Sequence, residues 1–399
     1  MRLKALDIIS SKDCCGCEAC ANICPKMCIT MKSNNEGFMY PIVDEDICIH
    51  CELCKKACPI LNTNQKYTNT LPKVYAAKNP NEYTRMQSSS GGLFSMLSEK
   101  IIKNGGVVFG VRLDNDLNAV LDYTQTIDGL EYFRGSKYVQ SKIGNCYITA
   151  KVFLDQGREV LFSGTPCQIA GLRSYLRKEY LNLYCIEVVC HGVPSPLVFK
   201  HYIKTLEEKY NGSITQFKFR DKTNGWKAYE VVADFANGIQ YRSAGHCDPF
   251  IRGFIYNLYI RPSCTNCKFK GFTSGADITL GDFWGSERFG QKYNDNKGIS
   301  LVCINTSRGL DLFRSIKSDI TGLIESTLND AVEYNPCLVS SIKKHSKESK
   351  FYRLYTKKDF DILVNELLYV SKFKNLLTKT TPYYIGIILR KIKHIIYRK

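Results

Sequence analysis

Ten of the 19 cysteines lie within the first 58 residues, and eight of them form two identical runs. Each run reads Cys-x2-Cys-x2-Cys-x3-Cys-Pro, a spacing at which thiolates bind 4Fe-4S cubanes. Where two such runs occur together, three close cysteines of one run and the last cysteine of the other hold one cluster. We therefore predict one cluster on Cys14, Cys17, Cys20 and Cys58, and a second on Cys48, Cys51, Cys54 and Cys24.

The main alternative for these runs is a zinc module. Zinc modules usually carry paired Cys-x2-Cys units without a third cysteine at the same step, so the spacing favours iron. Cys15 and Cys28 fall outside both runs, and we interpret them as buried, inert thiols rather than spare ligands. Two adjacent clusters move single electrons and catalyse nothing by themselves, so any chemistry must come from the rest of the chain.

Four later cysteines are candidates for a further metal site. Cys264 and Cys267 have the spacing of two ligands, and Cys167 and Cys190 each follow a predicted parallel strand. Neighbouring parallel strands bring their carboxyl ends to one edge of a sheet, which favours a common site. We predict a third 4Fe-4S cluster here, although a redox-active thiol pair or a zinc site has the same signature. His191, next to Cys190, is a candidate proton donor or a hydrogen-bonded structural histidine.

Glycine-containing loops that suit phosphate precede two predicted helices. Neither a GxGxxG fingerprint nor a P-loop occurs in the sequence. Instead, SSSGG at 88–92 and GTP at 164–166 present backbone N–H groups at the positive end of a helix, although ordinary capping is the favoured explanation for each loop taken alone. The loop at 135–138 adds a lysine and a tyrosine, as a dinucleotide site needs. Arg220, Lys222 and Trp226 in FRDKTNGW (219–226) form a similar group, although a solvated strand end is the default interpretation.

Length and composition exclude several classes of protein. A chain of 399 residues that is 44% hydrophobic predicts two to three domains with an ample core, not a disordered tail or a disulfide miniprotein. No stretch approaches the roughly 18 uninterrupted apolar residues of a spanning helix. The first residues lack the apolar core of a secretory signal, so we expect a cytoplasmic protein.

Periodicity predicts an α/β sheet followed by antiparallel strands. Three β-rich runs alternate with helices, which favours a parallel sheet core. The helices begin at Ser90, near Ile143 and at Ser195-Pro196. The strands of the sheet are predicted at 106–111, 159–164 and 184–189, and the antiparallel ones at 214–220, 230–235 and 239–242.

The expected fold class is therefore α+β or α/β with three parts. Residues 1–70 form a bacterial-type two-cluster ferredoxin module that ends in a polar linker at 62–70. Residues 71–339 form an α/β domain with a partly antiparallel second half, and residues 340–399 form a basic helical tail. The tail has 15 basic and 4 acidic residues, so it holds +11 of the net charge of +17.

The last 29 residues are the most basic part of the chain. Residues 371–399 contain 8 basic residues and no acidic one, interleaved with isoleucines. Such a segment is typical of a helix on an anionic membrane surface or against an acidic partner, and equally of a helix that covers its own domain. Nucleic acid is not expected as a partner, because no recognised binding fold accompanies the charge.

Six segments together resemble a known family. They are SSSGG (88–92), GSKYVQS (135–141), VLFSGTPCQIAGL (160–172), VCHGVPSP (189–196), RPSCTNCKFK (261–270) and DITLGDFWG (277–285). In these segments the chain resembles the beta subunit of coenzyme F420 (deazaflavin) hydrogenases and dehydrogenases, in a form with a fused N-terminal two-cluster ferredoxin domain. The resemblance covers nearly all of residues 10–300.

The resemblance implies a flavoprotein with FAD and an additional 4Fe-4S cluster. Deazaflavins transfer hydride, whereas clusters take one electron at a time, so a flavin must stand between them. The implied ligands of the additional cluster are Cys167, Cys190, Cys264 and Cys267. The implied flavin neighbours are Ser90, Gly91, Gly92, Lys137, Gly164 and Thr165.

The resulting hypothesis is an iron-sulfur flavoprotein oxidoreductase. Electrons would pass between a ferredoxin or a reduced deazaflavin, the 4Fe-4S clusters and FAD. The first alternative is a non-catalytic relay subunit of a larger redox complex, and the second is a redox or iron sensor without flavin. The third alternative is also an oxidoreductase: a reductase that acts on an intermediate of polysaccharide biosynthesis.

Overall fold

The computed structural model describes residues 12–62, 71–290, 293 and 295–368. Nearly all of the predicted linker at 62–70 and the basic segment at 371–399 lie outside these residues. None of the helices within the described ranges is both long and apolar enough to cross a membrane.

The N-terminal module repeats one local conformation. Glu18 and Glu52, which follow the second cysteine of each run, both have a φ of 60° and each precedes a short helix. The two runs thus bend the chain in the same way, and an antiparallel hairpin joins them. The elements are α1 (Ala19–Ile23), β1 (Ile29–Ser33), β2 (Met39–Val43) and α2 (Leu53–Lys56).

The rest of the described chain contributes eleven further strands and ten further helices. The strands are β3 (Lys73–Lys78), β4 (Val107–Leu113), β5 (Ala119–Thr124), β6 (Val160–Gly164), β7 (Leu183–Val188), β8 (Ile214–Asp221), β9 (Glu230–Phe235), β10 (Gln240–Ala244), β11 (Ile278–Asp282), β12 (Ser300–Ile304) and β13 (Thr321–Ser326). The helices are α3 (Glu82–Gln87), α4 (Leu93–Lys103), α5 (Cys146–Asp155), α6 (Pro166–Leu176), α7 (Pro196–Tyr210), α8 (Pro249–Ile255), α9 (Ser307–Arg314), α10 (Leu328–Tyr334), α11 (Glu348–Leu354) and α12 (Phe360–Leu367).

Eight strands form one mixed sheet in the order β13-β3-β12-β11-β7-β6-β4-β5. Strands β4, β6, β7 and β11 are parallel, which confirms the predicted parallel core, and the flanking strands pair antiparallel. All five residues of β6 are buried, as expected for a strand covered on both faces. The four parallel strands end at the same edge of the sheet, which is where the loops of interest begin.

Of the four predicted helix starts, those at 164–166 and at Ser195-Pro196 are confirmed, α5 begins at Cys146, close to the predicted Ile143, and the start at Ser90 is wrong. Thr165 forms a capping box with Gln168 at the start of α6, and the hydroxyl of Ser195 caps α7 ahead of Pro196. Helix α4 instead begins after Gly92, whose φ of +83° suits glycine. The hydroxyl of Ser90 turns away from the helix and donates to the carbonyl of Ile299 at 2.7 Å.

Strands β8 to β10 form a separate antiparallel sheet, as predicted. Their aromatic side chains share one core with α7, α8, α11 and α12. Phe351 and Phe360, on the last two of these helices, are fully buried in that core. Residues 348–368 therefore belong to the main domain, which corrects the predicted boundary of the tail at residue 340.

Candidate iron-sulfur and cofactor site

The two cysteine runs interleave in space. Burial raises the pKa of the Cys20 thiol, and the proximity of Cys14 and Cys58 raises it further. Cys17 likewise has Cys20 and Cys58 as neighbours, and Cys54 has Cys51 and Cys24. The last cysteine of each run thus lies among the first three of the other. Crowded thiols of this kind suit a metal, because bound iron stabilises the thiolates that water cannot reach.

The four later cysteines surround a small cavity of about 30 Å³. Cys167 lies in the first turn of α6, and Cys190 follows β7 by two residues. Cys264 and Cys267 come from a tight turn that begins at Pro262. Burial raises the pKa of the Cys264 thiol to about 12, with Cys167 and Cys267 contributing. Two parallel strand ends and one distant turn thus bring four thiols to the wall of one small cavity.

Polar contacts orient the backbone around these thiols. The Thr165 hydroxyl lies 3.2 Å from Cys167 Sγ, and the Cys267 amide donates to Ser341 Oγ at 3.0 Å. The ammonium of Lys270 donates to the carbonyl of Cys190. The donor set of four cysteines around one cavity matches the ligands of a 4Fe-4S cluster.

A larger cavity of about 490 Å³ adjoins the small one. Five of the six predicted flavin neighbours line it, namely Ser90, Gly92, Lys137, Gly164 and Thr165. The two cavities share part of their walls, including Cys15, Cys167, Cys190 and His191. A cavity of this volume suits a cofactor or a drug-sized ligand.

Gly91 is the one member of the six predicted flavin neighbours that does not line this cavity. Its α-carbon instead packs against the sheet, where a Cβ would lie 2.5 Å from the carbonyl of Ala77 and from the amide of Ser300. A side chain at residue 91 therefore has no room. Gly91 serves close backbone packing between its loop and strands β3 and β12.

Hydrogen bonds join the predicted phosphate loops to each other. The hydroxyl of Ser89 accepts from the Ser136 amide at 2.6 Å. The ammonium of Lys137 donates to the carbonyls of Tyr132 and Arg134, at 2.9 and 2.8 Å. The loops at 88–92 and 135–138 therefore form one continuous polar wall of the large cavity.

Two family models match the chain. The model of the 4Fe-4S dicluster domain matches residues 13–61. The model of the C terminus of the coenzyme F420 hydrogenase/dehydrogenase beta subunit matches residues 157–326. The chain is thus similar to this beta-subunit family over residues 157–326 and to 4Fe-4S dicluster domains over residues 13–61. With its dicluster domain it is an iron-sulfur electron-transfer protein of an oxidoreductase family, which confirms the resemblance found in the sequence.

Among solved structures, the chain is similar to one in a xenon-derivatised F420-reducing NiFe hydrogenase complex from Methanosarcina barkeri. The identity is 14% and the TM-score is 0.45, over 76% of this chain and 94% of that chain. No curated protein matches the chain.

The segment FRDKTNGW in this beta-subunit-like chain is not a solvated strand end, so that prediction is wrong. Lys222 and Trp226 are each only 2% exposed, and the Arg220 side chain is 3% exposed. The ammonium of Lys222 donates to the carbonyls of Arg85, Ser90 and Lys297. Three backbone acceptors replace the water that this charge loses on burial. Through its hydrogen bond to the carbonyl of Ser90, Lys222 holds the loop at 88–92 in position.

Cys15 occupies a position that the sequence did not reveal. Its thiol is a hydrogen-bonding neighbour of both Cys17 in the N-terminal module and Cys167 in the main domain. It also lines both cavities. Cys15 therefore lies between the first predicted cluster and the four-cysteine cavity, whereas the sequence predicted only an inert buried thiol.

His191 lies in the shared wall of the two cavities. Its Nε2 is 2.6 Å from Asn257 Oδ1, and its ring meets that of Phe254 edge-on at 5.1 Å. Burial lowers the pKa of His191, so the ring is neutral at pH 7. The side chain has one fixed hydrogen-bond partner and is positioned to contact a molecule in either cavity.

Two buried charges fasten the N-terminal module to the main domain. Arg261 is 0% exposed and donates to the carbonyls of Cys14 and Met39, at 2.9 and 3.0 Å. In the other direction, the Glu18 carboxylate accepts from the amides of Ile143 and Gly144, at 2.9 and 3.1 Å. Both contacts lie close to the cysteine runs, so the first predicted cluster is fixed relative to Cys15 and the cavities.

Proposed function

We propose that the chain is an iron-sulfur flavoprotein oxidoreductase that passes electrons between a ferredoxin or a reduced deazaflavin, three 4Fe-4S clusters and a bound FAD. The observation that carries the proposal is the common wall of the two cavities, formed in part by Cys167 and Cys190. A flavin exchanges both single electrons and hydride, which is the chemistry needed between clusters and a hydride carrier. Cys15 extends the same wall towards the N-terminal module.

The residues of the chain have distinct roles in this proposal. The eight cysteines of the two runs hold the N-terminal clusters, and Cys167, Cys190, Cys264 and Cys267 hold the third. The loops at 88–92, 135–138 and 164–165 bind the flavin, with backbone N–H groups and Lys137 facing its phosphates. His191 holds a proton at the shared wall, and its hydrogen bond to Asn257 sets the direction of the ring.

Purification without oxygen, followed by assays of iron, acid-labile sulfide and flavin, tests the proposal. Three cubanes and one flavin correspond to about 12 iron atoms and about one FAD per chain. About 8 iron atoms with no flavin would contradict it. That result would leave the four later cysteines as structural or zinc ligands and favour a relay subunit.

Lys137 makes the proposed flavin site sensitive to pH. Burial lowers the pKa of Lys137 to about 7, so the ammonium loses its charge as the pH rises through neutrality. A bound phosphate favours the protonated amine, so FAD binding takes up a proton and weakens as the pH rises above about 7. A nearby phosphate is expected to raise the pKa of the Lys137 amine by about 1 to 3 units. The affinity for FAD therefore falls by roughly tenfold or more as the pH rises from about 7 to the raised pKa of the complex.

Fluorescence titration of FAD at several pH values measures this effect. We expect Lys137→Met to remove the decline and Lys137→Arg to keep tight binding at high pH. Riboflavin, which lacks phosphate, serves as the control and should bind with little pH dependence. A steep decline that persists in Lys137→Met would show that another group is responsible.

A further inference from the structure

Arg220 is a buried cation with unused hydrogen-bond donors in the large cavity. Its Nη1 donates to Asp282 Oδ2 at 2.6 Å. Its Nε and Nη2 are buried and, among the described residues, have no hydrogen-bond partner. Buried donors are almost always paired in native proteins, so two unpaired N–H groups on one guanidinium that lines a cavity indicate a ligand.

The guanidinium is held in place before any ligand arrives. It lies over the rings of Tyr229 and Trp284, at 4.7 and 5.7 Å from their centroids. Asp282 also accepts from the indole of Trp226 at 3.0 Å, so the carboxylate that holds Arg220 is itself fixed. A fixed guanidinium loses little side-chain entropy when it binds an anion.

We propose that Arg220 is the anion-binding residue of the large cavity. Its Nε–H and Nη2–H bind two oxygens of one phosphate or carboxylate group on the molecule that occupies the cavity. These two donors are parallel, and their spacing matches the two oxygens of such a group. The inference rests on the proposed function in one respect. The proposed function supplies the ring-containing molecule, the flavin or its hydride-exchanging substrate, to which this anionic group belongs.

The position of Arg220 defines the shape of the ligand. The Arg220 Nη1 lies 3.5 Å from the Tyr138 hydroxyl, and the Tyr138 ring stacks on Phe254 at 4.9 Å. Phe254 in turn meets His191, which adjoins Cys190. Three rings thus lie between Arg220 and the four-cysteine cavity. We therefore expect a ligand with two parts: a planar ring that packs against Tyr138, Phe254 and His191, and an anionic group that binds Arg220.

Two molecules share this chemistry: the flavin with its own phosphates, and a second, anionic substrate that exchanges hydride with it. Titrations of Arg220→Gln with FAD, riboflavin and inorganic pyrophosphate distinguish them. If the anion belongs to the flavin, FAD affinity falls by roughly tenfold to a hundredfold and riboflavin affinity is unchanged. If it belongs to the substrate, FAD binds normally and pyrophosphate binding to the flavin-loaded protein weakens by a similar factor.

Two further variants control the experiment. Arg220→Lys keeps the charge near Asp282 but lacks the paired donors, so it should show the same selective loss and replaces Arg220→Gln if that variant does not fold. Arg242→Gln on β10 removes an arginine whose ion pairs are with Asp221 and Glu230, and it should bind like the wild type.

The proposal is overturned if the Arg220 variants bind FAD and pyrophosphate like the wild type, or if riboflavin affinity falls as much as FAD affinity. A wild-type protein that binds pyrophosphate through Arg220 but no flavin supports the anion site and contradicts the flavoprotein proposal. The two failures are therefore distinguishable.

Discussion

Cys264→Ala is expected to lower the iron content of the anaerobically purified protein from about 12 to about 8 atoms per chain, while the bound flavin remains. Cys264 lines the small cavity but not the large one, so its removal opens the proposed third cluster without touching the flavin site. We expect electrons from the reduced N-terminal clusters to reach the flavin far more slowly, because the site between them is lost.

Iron assay and anaerobic absorbance of the flavin measure the two effects. Cys146→Ala is the matched control, because Cys146 is a partly buried thiol that lines neither cavity and contacts the carbonyl of Leu121. Cys264→Ser provides a second, more conservative variant with the same expected loss. Full iron content in both Cys264 variants would contradict a cluster at this site.

Arg261→Met is expected to weaken the attachment of the N-terminal module by about 3 kcal/mol. The substitution leaves three acceptors without their donor, at about 1 kcal/mol each: the carbonyls of Cys14 and Met39, and Gln140 Oε1. It also removes the contacts of the guanidinium with Phe38 and Tyr40, at 5.5 and 4.4 Å from the ring centroids. All eight cysteines of the two runs remain, so we expect the iron content to stay near that of the wild type.

Hydrogen exchange over residues 13–61 measures this change. We expect faster exchange in the module and slower electron transfer from it, with little change in flavin binding. Arg177→Met, which alters an exposed arginine on the main domain, should exchange like the wild type. Unchanged protection of the module in Arg261→Met would show that Arg261 does not fasten it.

The cluster-binding runs and the central strands could be predicted from the sequence because their signals are local. Each cysteine run carries its ligands within eleven residues, from Cys14 to Cys24 and from Cys48 to Cys58. Strand β6, for example, begins with the apolar residues Val160, Leu161 and Phe162 and ends at Gly164. The order of the eight-stranded sheet was not predictable, since β3, β12 and β13 join it from distant parts of the chain.

The burial of Arg220 and Lys222 could not be predicted, because a charged strand end normally favours water. Their burial depends on Asp282 and on carbonyls more than 50 residues away in sequence, such as those of Ser90 and Lys297. The helices at 348–367 were assigned to a tail for a similar reason. The basic residues of this segment suggested a separate, solvent-exposed tail. Its apolar residues, however, pack on α7 and α8, and this packing places the two helices in the core of the main domain.

The sequence by itself determined the two N-terminal cysteine runs and the parallel core, since spacing and periodicity act over a few residues. Only the tertiary structure decided which distant side chains share a cavity. Cys167, Cys190 and Cys264 converge because parallel strands end at one edge and a remote turn packs against them. Cys15 lies beside Cys167 because Arg261 and Glu18 fix one module on the other. Contacts of this range depend on how the whole chain packs, and no local pattern encodes them.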